Sequence, residues 1–336
     1  MVRQQTLGNS FLLEGKGLHT GVYTQIKFNP APENFGYKIM RVDLPGNPII
    51  EALAENVVGT ERGTVLEVDG VQVGTIEHAM AALYACEIDN CLIEIDSAEF
   101  PILDGSSILY LKGIKEVGIR HQNAERKYLD FPRKKFKVVD PDTGSFLQMI
   151  PSQDYSIKCD ISFDSPLLRK QNAEMNGLQE FAREIASART FVFVKDIQYL
   201  IEQNLIKGGD LDNAIVVYDS VIPQEEYDKI ADLMGVERRD ASKVGYIMNK
   251  PLLYSNEPAR HKLLDIIGDL ALAGGFIKGR IIANRPGHKI NNQLARAIRN
   301  YYIEAIEEKE KKRRQKVRSK TVAAVPAASS FYWNCP

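Results

Sequence analysis

Residues Arg260–Ala283, RHKLLDIIGDLALAGGFIKGRIIA, decide how the rest of the chain is read. At about 100° per residue, a helix over His261–Ala273 collects Leu263, Leu264, Ile266, Ile267, Leu270 and Ala271 on one side. His261, Asp265, Gly268 and Asp269 share the opposite side. The apolar side must face a core, so the polar stripe should border a groove, solvent or another sheet. Gly274 and Gly275 then turn the chain into the strand FIKGRIIA. The same order occurs earlier in the chain. His78–Cys86, HAMAALYAC, is apolar nearly all round and reads as a buried helix with Thr75 as its N-cap. A polar EIDN turn and the strand CLIEI (Cys91–Ile95) follow. Two helix–turn–strand units, each led by a histidine, predict an α+β fold of two related α/β sandwich domains, each a sheet packed with helices.

Outward from these units, the short apolar runs Tyr23–Phe28 and Gly63–Val68 read as strands of the first half. Lys134–Val139, Ser145–Ile150, Tyr155–Phe163 and Ala214–Tyr218 read as strands of the second, with a helix near Leu178–Ser187. The polar run His121–Arg126 reads as the boundary, giving domains over 1–121 and 127–308. After His288 the chain reads as one long helix that becomes fully charged. Residues 309–336 form a charged linker and tail without periodicity. The 336 residues carry 43 Lys+Arg against 44 Asp+Glu, a net charge of −1, which disfavours a dedicated nucleic-acid binder. No apolar run approaches the roughly 18 residues of a membrane span. The first residues lack the apolar core of a secretory signal, and the four cysteines form no CxxC pair. A cytoplasmic setting is expected, with at most peripheral membrane contact.

The chain has only five histidines, and three fall in suggestive settings. His261 and Asp265, four residues apart on a helix, have neighbouring side chains and can chelate one cation, or can be a cap and a surface ion-pairing aspartate. Glu77-His78 opens a helix. Successive residues diverge by about 100°, so one can be a ligand and the other a base, or Glu77 can simply complement the helix dipole. Two histidines and one carboxylate with an open position is a catalytic rather than a structural zinc arrangement. His288, in RPGHKINNQ, sits beside a forced turn; with Asp269 as a partner it suits a general acid, and alone it suits a surface turn.

Taken together, TIEHAMAAL (75–83), PILDGSS (101–107), SARTF (187–191), KGGDLDNAIVV (207–217), RHKLLDIIGDLALAG (260–274) and PGHKINNQL (286–294) resemble the zinc-dependent UDP-3-O-acyl-N-acetylglucosamine deacetylases of lipid A biosynthesis. GKGLHTG (15–21) fits as well, and the likeness runs from about Gln5 to Glu308. The resemblance implies an active site at the domain interface, with one Zn2+ per chain, or Fe2+ in its place, bound by His78, His261 and Asp265. Glu77 would be the base that activates water. His288, oriented by Asp269, would protonate the leaving nitrogen, and Thr190 would support the developing oxyanion. Lys262, directed away from the metal stripe, would meet the nucleotide phosphates. Phe191 would pack on the sugar and Phe163 on the uracil. The segment around Asn204–Val217, with Gly209, would line a passage for the acyl chain, and His19 would lie on the substrate side. Asp104-Gly105-Ser106 reads as a turn and helix cap.

Two departures stand out: Gly63 occupies a position that is often cysteine in this family, and the tail beyond about Lys309 leaves the single-domain pattern. Some members are fused there to a hydroxyacyl-carrier-protein dehydratase, so the chain can also be read as the deacetylase half of such a fusion. The expected partner is a UDP-linked acylated amino sugar, with no nucleic acid and a monomeric protein. The competing readings are a different zinc amidohydrolase or peptidase, and a scaffold or nucleic-acid binder working through KKRRQKVRSK.

Overall fold

The computed structural model describes residues 1–202 and 205–323. Two five-stranded sheets dominate. The first is built from β1 (Phe11–Lys16), β2 (Tyr23–Pro30), β3 (Tyr37–Arg41), β4 (Ile49–Glu51) and β5 (Cys91–Ile95), in the order β1-β2-β5-β3-β4. The second contains β6 (Phe136–Val139), β7 (Phe146–Ile150), β8 (Ser156–Ile161), β9 (Gln171–Asn176) and β10 (Arg280–Asn284), in the order β6-β7-β10-β8-β9. The central strand of each sheet is last in sequence, antiparallel to one neighbour and parallel to the other. All other pairings in both sheets are antiparallel. The repeat legible in the sequence is therefore a repeat of topology: in each half a helix precedes the central strand.

Those helices are α1 (Glu77–Ala85) and α2 (Glu257–Ala271), and they pack against each other. The contact is close because Gly268 lies on the backbone of Glu77: a Cβ there would stand 2.1 Å from the Glu77 carbonyl oxygen. Glycine is the one residue that permits this approach. A third helix, α3 (His288–Ala323), packs on α2 and on the second sheet. One apolar core runs through both halves, from Ile26 and Ile93 through Met80 and Leu83 to Leu264, Ile267 and Ile281. A smaller three-stranded sheet (Thr190–Phe193, Ala214–Tyr218, Gly245–Ile247), with the helix Val194–Glu202 against it, is inserted before α2.

Some local expectations shift. Thr75 does not cap α1: Ile76 is the N-cap, without a side-chain hydrogen bond, and the Thr75 hydroxyl donates to Glu99 from a left-handed backbone (φ 58°). α2 starts one turn before His261, with Pro258 in its first turn. FIKGRIIA is two strands rather than one, because Gly279 separates Phe276–Lys278, which pairs with Tyr128–Asp130, from β10. The helix near Leu178–Ser187 shrinks to a 3-10 turn and a single α turn, Leu178–Glu184. His121–Arg126 lies mostly in a strand, Ile119–Glu125, that pairs with Arg3–Leu7. Residues 324–336 of the expected tail lie outside the described residues. Among the described residues no helix is long and apolar enough to cross a membrane.

A candidate metal centre between the two halves

The polar stripe of α2 borders neither solvent nor a sheet. It faces the start of α1, and both sides of this contact are buried: His261 and Asp265 are each 2% exposed and Asp269 is fully buried. Three turns of one helix thus present His261, Asp265 and Asp269 to Glu77 and His78 across the line where the halves meet. The ligand atoms of His78, His261 and Asp265 all lie within 4.8 Å of one another. Asp265 Oδ1 stands 3.5 Å from His261 Nε2 and 3.9 Å from His78 Nε2. It is buried without a hydrogen-bond partner. An ionised oxygen in that condition is costly unless a cation completes it. The two rings meet edge to face at 5.0 Å.

The protonation states suit ligation. Burial, reinforced by the neighbouring His261, drives the His78 pKa down to about 3, and burial lowers that of His261. Both rings are therefore neutral near pH 7. The His261 Nδ1–H donates to the carbonyl of Ala188 at 3.0 Å, which leaves Nε2 with a free lone pair toward Asp265. Burial works against the Asp265 carboxylate, but Lys262 and the surrounding imidazoles outweigh it and hold its pKa below the ordinary value. Lys262 departs from expectation here: its Nζ donates to Asp265 Oδ2 at 2.9 Å rather than pointing away from the stripe. The spacing of three residues brings the two side chains together on the helix surface.

One turn further along, Asp269 orients His288, the first residue of α3, through a 3.0 Å bond to Nδ1. Its other donors are Asn291 (2.9 Å), Asn292 (3.3 Å) and the hydroxyl of Thr64. Burial opposes the imidazolium of His288, yet Asp269 and Glu77 more than offset it and raise the pKa to about 9. The Glu77 carboxylate accepts the Thr64 N–H at 3.0 Å and lies 4.0 Å from His288 Nε2. Burial lifts its pKa to about 7, helped by Asp269 and Asp265 and opposed by His288. A group that gives up its proton near pH 7 and another that keeps it to about pH 9 form an acid–base pair by environment alone. At Gly63 a Cβ would come 3.0 Å from Glu77 Oε1, so the missing side chain leaves that carboxylate room.

Glu77, His78, His261, Lys262, Asp265 and His288 line a cavity of about 210 Å³. Thr190, Phe191, His19 and Gly209 also border it, with Leu18, Ile102, Val192, Leu200, Ile206 and Val216 as an apolar wall. Both ring nitrogens of His19 are buried without partners. Phe163 is not brought to the cavity; it packs edge-on to Phe191 at 5.7 Å and beside Phe193. Thr64, Asn291, Asn292 and Ser107, whose hydroxyl donates to the carbonyl of His78 at 2.7 Å, were not singled out from the sequence. For the asparagines a signal existed: they stand three and four residues after His288, on the face of α3 that His288 itself occupies.

The fold and site define a two-halved α+β protein with a candidate His–His–Asp metal centre and an adjoining carboxylate–imidazole pair. The chain belongs to the UDP-3-O-acyl N-acetylglycosamine deacetylase family, whose model matches residues 4–232 and 241–300. It is 56% identical over 299 residues to a protein of Porphyromonas gingivalis named bifunctional enzyme LpxC/FabZ, covering 89% of this chain and 64% of that one. A protein of the same name from Bacteroides thetaiotaomicron is 53% identical over 299 residues, covering 89% and 65%. The UDP-3-O-acyl-N-acetylglucosamine deacetylase of Myxococcus xanthus is 38% identical over 296 residues, covering 88% and 86%. The chain thus spans just under two thirds of the length of the two bifunctional relatives.

Proposed function

We propose that this chain is a zinc-dependent deacetylase acting on UDP-3-O-(3-hydroxyacyl)-N-acetylglucosamine. It hydrolyses the N-acetyl amide and releases acetate, the committed step toward lipid A. The observation that carries the reading is the buried His78–His261–Asp265 group with its unpartnered carboxylate oxygen, set one side chain away from Glu77 and His288. A neutral imidazole pair and one carboxylate suit zinc, and iron(II) is the alternative occupant. When bound, the cation polarises the amide carbonyl and acidifies water.

The protein's own groups then divide the proton transfers. Glu77 takes a proton from water as the new C–O bond forms at the amide carbon. The hydroxyl of Thr190 and the protonated His288 face the carbonyl oxygen as it becomes negative. His288, held by Asp269, gives its Nε2 proton to the amide nitrogen; the C–N bond breaks, leaving a free amine and acetate. Phe191 and the apolar wall receive the sugar and the acyl chain, and His19 lies at the substrate side. Lys262 has a double task in this reading, holding Asp265 and, from the cavity edge, drawing the nucleotide's negative charge. Phe163 would reach the uracil only by way of the Phe191 face.

The reading includes a division into domains 1–121 and 127–308, supported by the duplicated sheet topology, with 309–336 as linker and tail. It includes a monomer in the cytoplasm with one metal per chain. A second reading, the deacetylase half of a bifunctional enzyme, is favoured by the names of the two more similar relatives. The deciding experiment measures acetate release from the acylated nucleotide sugar, with metal analysis of the same preparation. Turnover that a chelator abolishes and zinc restores is the expected result. Cleavage of peptides without deacetylation would replace this reading with that of a peptidase.

A further inference from the structure

One buried ion pair lies just outside the site, and the chemistry above makes no use of it. Glu257, in the first turn of α2, is fully buried, and Arg189 is 4% exposed. The guanidinium donates Nε to Glu257 Oε1 at 2.8 Å and Nη2 to Oε2 at 3.2 Å. The backbone N–H of Arg189 donates to the same Oε1 at 3.1 Å, so Glu257 grips both the main chain and the side chain of one residue. The remaining guanidinium donors close on the carbonyls of Lys250 (3.1 Å) and Pro251 (2.8 Å), and the Leu253 N–H reaches Glu257 Oε2 at 2.7 Å. Both Glu257 oxygens and all three guanidinium nitrogens are thus engaged within the protein.

The neighbours of Arg189 give the pair its meaning. Ala188 offers the carbonyl that fixes the Nδ1–H of His261, and Thr190 borders the cavity. His261 stands one turn after Glu257 on α2. Glu257, Arg189, Ala188 and His261 therefore form a closed ring that leaves α2 and returns to it. On the other side, the N–H of Thr190 donates to the Gly105 carbonyl at 2.8 Å, and the Ser107 N–H donates to Ala186 at 2.9 Å. The segment 186–190 is thus held from both halves, with Arg189, among the described residues, supplying its side-chain hydrogen bonds to α2.

We propose that Arg189 and Glu257 are positioning residues: their ion pair sets the orientation of the His261 imidazole and the placement of the Thr190 hydroxyl. The inference rests on the metal-centre reading above. Stability alone does not account for the pair, because a buried ion pair can usually be exchanged for well-packed apolar residues without loss of stability. Its geometry, with five hydrogen bonds fixing Arg189 and a sixth tying Glu257 to Leu253, instead matches the outer support that orients a metal-bound histidine.

The test compares wild type with Glu257→Gln, Arg189→Lys and the double apolar variant Arg189→Met/Glu257→Leu. Zn2+ affinity is read by chelator competition, ligand-field absorption on the Co2+-substituted proteins, folding by thermal unfolding, and kcat and KM with the acylated nucleotide sugar. Each single variant should weaken Zn2+ binding by about 10- to 100-fold, shift the cobalt band and lower kcat by about 10- to 100-fold, with KM changed less than about threefold. The double variant should recover thermal stability while the cobalt band, affinity and kcat stay impaired; it decides the matter if the single variants do not fold. A double variant that regains all three along with stability shows a merely structural pair and overturns the proposal. So do single variants with wild-type affinity and cobalt spectrum. Wild-type protein that takes up no Co2+ or Zn2+ overturns the metal-centre reading itself, and this inference with it.

Discussion

Asp265 and Asp269 stand one turn apart on the same face of α2, and both are buried, yet their surroundings are opposite. Asp269 is saturated: Thr64, Asn291, Asn292 and His288 supply four donors from two parts of the chain. Asp265 is deliberately short of them, with Lys262 on one oxygen and nothing on the other. A carboxylate whose lone pairs are all committed can hold and charge a neighbour, but has no oxygen left for a cation. A carboxylate with a bare buried oxygen is available for a cation and unstable without one. The identical residue type, on one helix, thus takes two roles that follow from counting donors.

The contrast can be broken most severely at Asp265. Asp265→Ala should remove tight metal binding and lower turnover by about 10³-fold or more, since a metal supplies several kcal/mol of charge stabilisation and each 1.36 kcal/mol is tenfold. Normal metal content in that variant would end the ligand assignment. Glu77→Gln should keep its zinc and lose about 10²- to 10⁴-fold in kcat, the range for general acid–base catalysis; an active variant would mean that another base operates. Asp269→Asn should likewise retain metal and fall about 10²-fold.

The pH profile sharpens the same comparison. The proposed reaction needs Glu77 ionised and His288 protonated. The wild-type kcat/KM should therefore rise with pH through about 7 and fall through about 9. Asp269 raises the His288 pKa by stabilising the charged ring, so removing its charge in Asp269→Asn should move the falling limb to lower pH. An unmoved limb would assign that limb to another group. The smallest effect belongs to Thr64→Val, which deletes one of four donors to Asp269 and keeps the backbone bond to Glu77. One buried hydrogen bond is worth about 1 kcal/mol, so kcat should drop several-fold at constant zinc content.

Sequence periodicity carried much of this. The stripe of His261, Asp265 and Asp269 is a local pattern that helix geometry translates directly, and the duplicated histidine–helix–strand order foretold the duplicated sheets. What periodicity could not carry is what meets the stripe. That Thr64 ties Glu77 and Asp269 together, and that Phe163 packs on Phe191 and Phe193, are outcomes of packing between separate segments, Thr64 and Asp269 being 205 residues apart. Thr75 illustrates the same limit: its type suits a cap, but the buried Glu99 carboxylate, which also accepts from His19 and Thr20, captures its hydroxyl. The short strand Tyr37–Arg41 lacks a clear alternation of apolar residues and takes its form from the neighbours that pair with it.

The bare Cα of Gly268 against the Glu77 carbonyl has one more implication. In the proposed reaction neither half of the chain holds the whole centre: one brings His78 and Glu77, the other His261, Asp265, Asp269 and His288, and the chemistry would belong to their junction as it would in a dimer with a shared site. The covalent link between the halves then acts mainly as a concentrating device, keeping each permanently within reach of the other. Two separate polypeptides carrying the halves would recreate the centre only where they could close to the distance that a single hydrogen atom at Gly268 allows.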